Sequence, residues 1–287
     1  MKSIPIRHIA TIPKEQSNAR RFSIRSVQQM LNGKDLVHDR HKHDFFFVLA
    51  LHKGAGMHEI DFIQYEIHDN SVFILRPGQV HRLGLTAAST GFLMEFDLAF
   101  YQPKHTITDQ RWKKALGKNY CEVEAGRFMK LHVFLANVFD EFTTKHDGYI
   151  EAIKANLDLF FIEYTRQSRN PKSIAKTESG YTQDRFEELV RLLEINIGRM
   201  KNVSQYADLL SLSPYQLNAV TKSSVGKTVS DLINEQIILE AKRYLLATHS
   251  QIKDVADHLG YEDVSYFIRF FKKHTGHSPE AFRKNFK

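Results

Sequence analysis

Ile252 to Phe282 reads IKDVADHLGYEDVSYFIRFFKKHTGHSPEAF, and its punctuation describes two short helices joined by a tight turn. Val255, Ala256 and Leu259 share one face of the first helix. Gly260 ends that helix where a positive φ costs least, and Asp263 stands as N-cap of the next. In the second helix Phe267, Phe270 and Phe271 fall at the spacing of a buried face. Val264, Ser265, Ile268, Arg269 and Lys272 are left on or near the other face. An aromatic back with a front of Ser and Arg suits insertion into a DNA major groove. Residues 264–287 carry six basic side chains, Lys272 and Lys273 among them, against the single acid Glu280, so phosphate matches the local charge of +5.

The same unit occurs earlier. Tyr206 to Leu210 aligns with Val255 to Leu259 at an offset of 49, and Leu217, Lys222 and Gly226 align with Phe267, Lys272 and Gly276 at an offset of 50. One residue is added in the second turn. The first copy therefore predicts a helix from Val203 to Leu210, a turn through Ser211 to Ser213, and a helix from Pro214 to Lys222, with Ser213 as N-cap and Pro214 at the tolerated first position. Between the copies, Ser230 to Ala247 contains neither Pro nor Gly and spaces Leu232, Ile233, Ile237, Ala241 and Leu245 as a helix. Such a connector is about 27 Å long at roughly 1.5 Å per residue, close to the roughly 34 Å between successive major-groove faces.

These residues resemble the AraC/XylS family of bacterial transcription regulators over about Ser204 to Lys284. The paired Ala-Asp-x-Leu starts, Leu259-Gly260-Tyr261, Ser265-Tyr266-Phe267, Arg269-x-Phe271-Lys272-Lys273 and Gly276-His277-Ser278-Pro279 with Phe282-Arg283 carry the likeness. It implies a sequence-specific regulator that binds double-stranded promoter DNA, with RNA polymerase as a further partner. Matched residue by residue, it puts Tyr215, Gln216, Asn218 and Ala219 of the first unit and Val264, Ser265, Ile268 and Arg269 of the second against base edges. Gln216 and Asn218 suit adenine and Arg269 suits guanine, while Lys222, Lys272 and Lys273 suit phosphate. Ala219 departs from the Arg common in the family, so the first unit is expected to read sequence weakly or through a thymine methyl.

Composition bounds the rest. At 287 residues, 42% hydrophobic, the chain can bury a sizeable core and predicts two domains. The net charge of +7 is weak evidence for DNA, because residues 181–287 contribute only +2 of it. Cys121 stands alone, which excludes an internal disulfide and fits a reducing compartment. With no secretory leader pattern and no apolar run near 18 residues, a cytoplasmic protein without membrane contact is expected.

The first thirty residues carry Arg7, Arg20, Arg21 and Arg25 and read as a solvated segment with one strand around Phe22 to Val27; a basic arm on DNA is the alternative. From His41 onward the pattern is short strands. Asp44 to Leu51 is a nearly continuous apolar run, suited to a strand buried on both faces. Met57 to Ile67, Ser71 to Arg76, His81 to Thr86 and Gly91 to Phe96 continue it, with turns at Gly54 to Gly56, Asp69-Asn70 and Pro77-Gly78. That spacing predicts a small barrel or jelly roll. His41-Lys42-His43 and Arg76-Pro77-Gly78-Gln79-Val80-His81 make the region similar to the cupin-type sensor domain of many AraC-family regulators.

In metal-binding cupins an HxH pair, a glutamate and a later histidine hold one ion. Here His41, His43 and His81 match, and the glutamate is missing, since only apolar residues follow Asp44 through Leu51. The incomplete set speaks against a metal-dependent enzyme, and no cofactor or catalytic residue is assigned. The histidines are read first as lining a small-molecule effector pocket, with a structural role or a metal site as the alternatives. Candidate effector contacts are His43, Phe45, Tyr65, Arg76, His81 and Arg82. Alternation places Phe45 and Phe47 with His43 and turns Phe46 away.

Helical period returns between Ala125 and Asn170. Phe128, Leu131, Leu135, Val138 and Phe142 form one stripe and Ile150, Ile153, Leu157, Phe160 and Tyr164 another, separated by a turn at Lys145 to Gly148. These helices either pack on the barrel or form a homodimer interface anchored by Phe160, Phe161 and Tyr164. Arg169 to Tyr181 is polar and aperiodic and reads as a linker. The expected fold is therefore α+β in two domains: a cupin-like β-barrel followed by helices over 1–168, a linker over 169–181, and an all-α domain over 182–287 with two helix-turn-helix units joined by a long helix. A sensor that only dimerises or binds a protein is the alternative to one that binds an effector.

Overall fold

The computed structural model describes residues 4–7, 22–101, 112, 115–167 and 180–286. The chain divides into two compact units, one within Pro5–Ser173 and one whose bulk is Ile174–Lys287. The predicted linker lies outside the described residues except for Gly180 and Tyr181, which open a helix. Arg20 and Arg21 also lie outside them.

The first unit runs β1 (Ile6–Arg7), β2 (Phe22–Ser26), α1 (Val27–Leu31), β3 (Leu36–His43), β4 (Phe46–Lys53), β5 (Gly56–Ile60), β6 (Ile63–Ile67), β7 (Ser71–Leu75), β8 (Val80–Leu85), β9 (Thr90–Phe96), β10 (Tyr120–Glu122), α2 (Ala125–Thr144) and α3 (Tyr149–Gln167). Two five-stranded sheets form, in the orders β1-β3-β8-β5-β6 and β10-β7-β4-β9-β2. Strand β4 is buried on both faces, as its unbroken apolar run predicts. Phe47, Leu49 and Leu51 point into the interior with Ile60, Phe73, Leu83, Leu85 and Leu93. Phe46, Val48 and Ala50 point the other way, into a second core built with α2 and α3.

Three local features differ from the sequence reading. Strand β3 extends upstream of His41, and the chain bends at Asp44 and Phe45 before β4 begins. Met57 to Ile67 is a hairpin, because Asp61 and Phe62 both adopt positive φ, 46° and 69°. No glycine announces that turn; the Asp61 carboxylate holds it by accepting from the Val80 N–H at 3.1 Å and from Gln79 Nε2 at 2.9 Å. Phe160, Phe161 and Tyr164 are buried within their own chain, among Phe96, Trp112, Phe128 and Leu131, so they are not surface anchors for a partner.

The second unit is helical: α4 (Gly180–Asn196), absent from the sequence reading, then α5 (Val203–Leu209), α6 (Pro214–Val225), α7 (Val229–Ala247), α8 (Ile252–His258), α9 (Val264–Thr275) and α10 (Pro279–Phe286). The Ser213 hydroxyl accepts from the Gln216 N–H and the Gln216 side chain accepts from the Ser213 N–H, a reciprocal cap behind Pro214. Asp263 caps α9 through the Ser265 N–H at 2.7 Å. Gly260, at φ 69°, sits where a Cβ would collide with the Gly198 carbonyl oxygen. Gly260→Ala therefore carries both backbone strain and a steric clash and is expected to destabilise the chain by more than about 1 kcal/mol. Urea denaturation followed by helical circular dichroism measures it; an unchanged midpoint would contradict the assigned packing.

Candidate functional site

Alternation along each recognition helix decides which side chains are free to meet DNA. On α6, Leu217 and Val220 are buried, while Tyr215 is 84% exposed and Gln216, Ala219 and Lys222 are exposed too. On α9, Phe267 and Phe271 are fully buried, Ser265, Arg269, Lys272 and Lys273 are exposed, and Val264 and Ile268 are half-buried at the edge of that face. Arg269 lies 3.8 Å from Asp263, an exposed pair that constrains it little. Tyr266, 55% exposed, shares this surface and is missing from the sequence-derived set. The phase of the Phe267, Phe270 and Phe271 stripe already placed it off the buried face, which is the signal that could have found it.

Two side chains expected at DNA belong to the fold instead. Asn218 donates from Nδ2 to the Pro214 carbonyl at 3.0 Å and accepts at Oδ1 from the Val229 N–H at 3.0 Å. Both ends of its amide are spent, the second on an N–H that α7 leaves without an intrahelical partner, which replaces the expectation that Asn218 pairs with adenine. Arg283 donates from Nε to the Leu245 carbonyl at 2.9 Å and from Nη2 to the Ser250 carbonyl at 2.6 Å. It ties α10 to the end of α7 and leaves the phosphate-facing cluster one charge smaller. Gln216 keeps its amide nitrogen available, its oxygen being engaged by the Ser213 N–H at 2.8 Å.

In the first unit the histidines meet inside the sheets. Ligand atoms of His41, His43 and His81 lie within 4.8 Å of one another. His43 Nε2 is 2.7 Å from His81 Nε2, and His81 Nδ1 is 2.9 Å from Nε2 of His58, a residue the sequence reading passed over. The positions arise from register. His41 pairs with His81 across β3 and β8, but the pairing slips between His38 and His41, where a bulge turns the alternation so that His41 and His43 face inward and Arg40 faces out to Glu59 at 2.6 Å. His58 enters from β5, two residues before the Ile60 that pairs with His81. Burial disfavours the charged form of all four rings. It lowers the pKa of His41 to about 4, against the Asp39 carbonyl that supports its N–H, and of His43 and His58 to about 3, with their neighbouring imidazoles adding to the effect; His81 also falls well below the usual histidine value.

Of the remaining effector candidates, Phe45 is buried beside His43, with ring centroids 4.3 Å apart. Tyr65 belongs to the far part of the same interior, against Phe73 and Tyr120, with Phe73 linking it to His58. Arg76 is half-buried at the start of the Pro77-Gly78 turn, which the Gly78 N–H fixes to the His43 carbonyl at 2.9 Å. Arg82 is exposed on the outer face, since its neighbours His81 and Leu83 point inward, and it is withdrawn from the interior set. The carboxylate missing from β4 is not supplied from β9, where Glu95 is paired with Arg25 at 2.9 Å.

A family model described as a helix-turn-helix domain matches residues 206–285, and one described as an AraC-like ligand binding domain matches residues 31–105, together more than half of the chain. The chain belongs to the AraC family of transcriptional regulators. Over 256 residues it is 24% identical to the transcriptional activator RhaS of Pectobacterium carotovorum, covering 85% of this chain and 86% of RhaS. It is 31% identical over 96 residues, 33% of this chain and 46% of the relative, to the bifunctional transcriptional activator and DNA repair enzyme AdaA of Bacillus subtilis. The crystal structure of unsaturated-fatty-acid-bound ToxT from Vibrio cholerae covers 94% of this chain and 96% of its own, at 17% identity and a TM-score of 0.40. Among the described residues of this AraC-family chain, no helix is long and apolar enough to cross a membrane.

Two outcomes follow from this geometry. Asn218→Ala is expected to lower stability by about 1 kcal/mol without changing which base is preferred, as read by denaturation and by binding to a base-substituted duplex series. The four histidines are neutral in the folded chain but take up protons near pH 6.5 when unfolded, so their contribution is complete above that value and is lost as pH falls towards 4. In chelator-treated protein, stability should fall by at least about 1.4 kcal/mol between pH 6 and 5, the proton uptake of one ring, and His58→Phe should flatten the slope; a pH-independent urea midpoint would show that the rings are not buried.

Proposed function

We propose that this AraC-family regulator reads promoter DNA with the exposed faces of α6 and α9, as a cytoplasmic homodimer whose first unit senses a small-molecule effector and whose bound form engages RNA polymerase. The observation that carries the reading is the pair of capped recognition helices, each with a buried apolar back and a free polar front, joined by the 19-residue α7. At roughly 28 Å, that connector suits adjacent major grooves. Tyr215, Gln216 and Ala219 on α6 and Val264, Ser265, Ile268 and Arg269 on α9 are assigned to base edges, and Lys222, Lys272 and Lys273 to phosphates. The effector is assigned to the interior beside His43, Phe45 and His81, with Tyr65 and Arg76 at its margins. No catalytic step is assigned: the cupin carboxylate is missing, and the match to AdaA covers one third of the chain.

Arg269→Ala should cost about 1–3 kcal/mol of binding and relax preference at one base pair, whereas Lys272→Ala should weaken all sequences alike and reduce the salt slope by about one. The measurement is binding of the full chain to fragments of candidate promoters at several salt concentrations. Affinity and preference both unchanged in Arg269→Ala would remove α9 from the reading surface, and absence of any preferred fragment for the wild-type chain would contradict the proposed function.

A further inference from the structure

We propose that Lys201 is a positioning residue for DNA reading: by tying the N-terminus of α5 to the foot of α9 it holds the two recognition helices at one distance and phase, so that the chain accepts a single spacing between its two half-sites. The inference deepens the assignment of α6 and α9 to successive major grooves and rests on it.

The connector alone does not set that geometry. Helix α7 follows α6 across a turn at Gly226 to Thr228 and precedes α8 across Thr248 to Gln251, and a rotation at either joint swings one recognition helix against the other. Asn218 fastens α6 to the start of α7, and Arg283 fastens α10 to its end. Neither reaches from one helix-turn-helix unit to the other. The loop between α4 and α5 does, and Lys201 is the side chain that crosses.

The backbone of Lys201 belongs to the first helix-turn-helix unit. Its N–H and that of Asn202 both donate to Gln205 Oε1, each at 3.1 Å. The hydroxyl of the buried Tyr206 donates to the preceding Met200 carbonyl at 2.9 Å, so residues 200–202 move with α5. The ammonium of Lys201 belongs to the second unit. Its Nζ donates to the Gly260 carbonyl, 59 residues away, at 3.0 Å and stands 5.0 Å from the centre of the Tyr261 ring. Tyr261 packs in turn on α9, with ring centroids 5.4 Å from Phe267 and 5.8 Å from Phe270. The two backbones touch at the same place. A Cβ at Gly260 would fall 2.2 Å from the Gly198 carbonyl oxygen, and one at Gly198 would fall 2.9 Å from the His258 carbonyl oxygen. Carbonyls gathered at the end of α8 suit a cation that can also donate. Burial lowers the pKa of Lys201 below the ordinary lysine value, as befits an ammonium held by a carbonyl and a ring.

The experiment uses the full-length chain and has two arms. In the first, spin labels are attached at Tyr215→Cys on α6 and Ser265→Cys on α9 in a Cys121→Ser background. The labelled chain is diluted with unlabelled chain, and the distance between the labels is read without DNA by pulsed electron paramagnetic resonance. One narrow distance is expected when Lys201 is present. Lys201→Met, which keeps the stem but removes the donor and the charge, should broaden it at least about twofold. Lys201→Arg, whose guanidinium can donate to the same carbonyl and stack on Tyr261, should restore it. In the second arm, a duplex selected by wild-type protein from a randomised pool gains or loses one base pair between its half-sites, a change of about 3.4 Å and about 35°. Wild type should lose about 100-fold in affinity, the worth of two base contacts. Lys201→Met should lose less than about 10-fold on that change, while binding the original spacing about 3- to 10-fold more weakly, in proportion to the molecules still aligned. Base preference within each half-site should stay the same. A label distance as narrow in Lys201→Met as in wild type would overturn the positioning role, as would a loss of affinity equal at every spacing with a lowered melting temperature. Wild-type protein that selects no duplex would overturn the assignment of α6 and α9 to DNA and leave the first arm to decide the role of Lys201.

Discussion

The first unit depends on one strand having two insides. Because β4 is apolar at every position from Phe46 to Leu51, it can be satisfied only by burial on both faces. A single sheet cannot provide that, so β4 requires a second sheet on one side and a helical layer on the other. The interior around Phe47, Leu49 and Phe73 and the outer core around Phe96, Phe128 and Phe160 are the two answers to that requirement. Helices α2 and α3 are thereby part of the unit's own core, which is why their aromatic stripe is hidden.

Much of this was legible from local chemistry. The helix-turn-helix units were readable because each signal is short in range: an N-cap, a glycine at positive φ, an apolar i, i+3, i+4 stripe. The strands around β7 to β9 were readable for the same reason, through their turns. What escaped depended on pairing between distant segments. The hairpin at Asp61-Phe62 carries no turn glycine, so β5 and β6 merged into one stretch and the inward phase of His58 was hidden. The bulge before His41 leaves no mark in composition, yet it decides that His41 and His43 face the interior while Arg40 does not. A side chain's face in a strand is a parity, and one extra residue inverts it.

On the DNA-binding side the limits were of another kind. Asn218 and Arg283 have the chemistry of base and phosphate contacts, and the sequence supplies no sign that both are consumed by backbone groups at the two ends of α7. Helix termini present unsatisfied N–H and C=O groups that compete with nucleic acid for the same side chains. In this chain the connector wins that competition at both ends.

The topology also separates the two units in time. The two helices of each recognition unit, α5 with α6 and α8 with α9, are neighbours in sequence, and longer closures such as Gly260 against Gly198 and Arg283 on Leu245 knit these units and their connector together. In the first unit, by contrast, β2 must find β9 about seventy residues downstream and β10 must return to β7 before either sheet is complete. Sheets closed over such separations form slowly relative to local helical contacts. On the ribosome the first unit is made before the second and is the slower of the two to finish, whereas the short helix pairs of the second can form as soon as they are free. The nascent regulator therefore acquires its means of gripping DNA within a short interval of its means of being told when to do so.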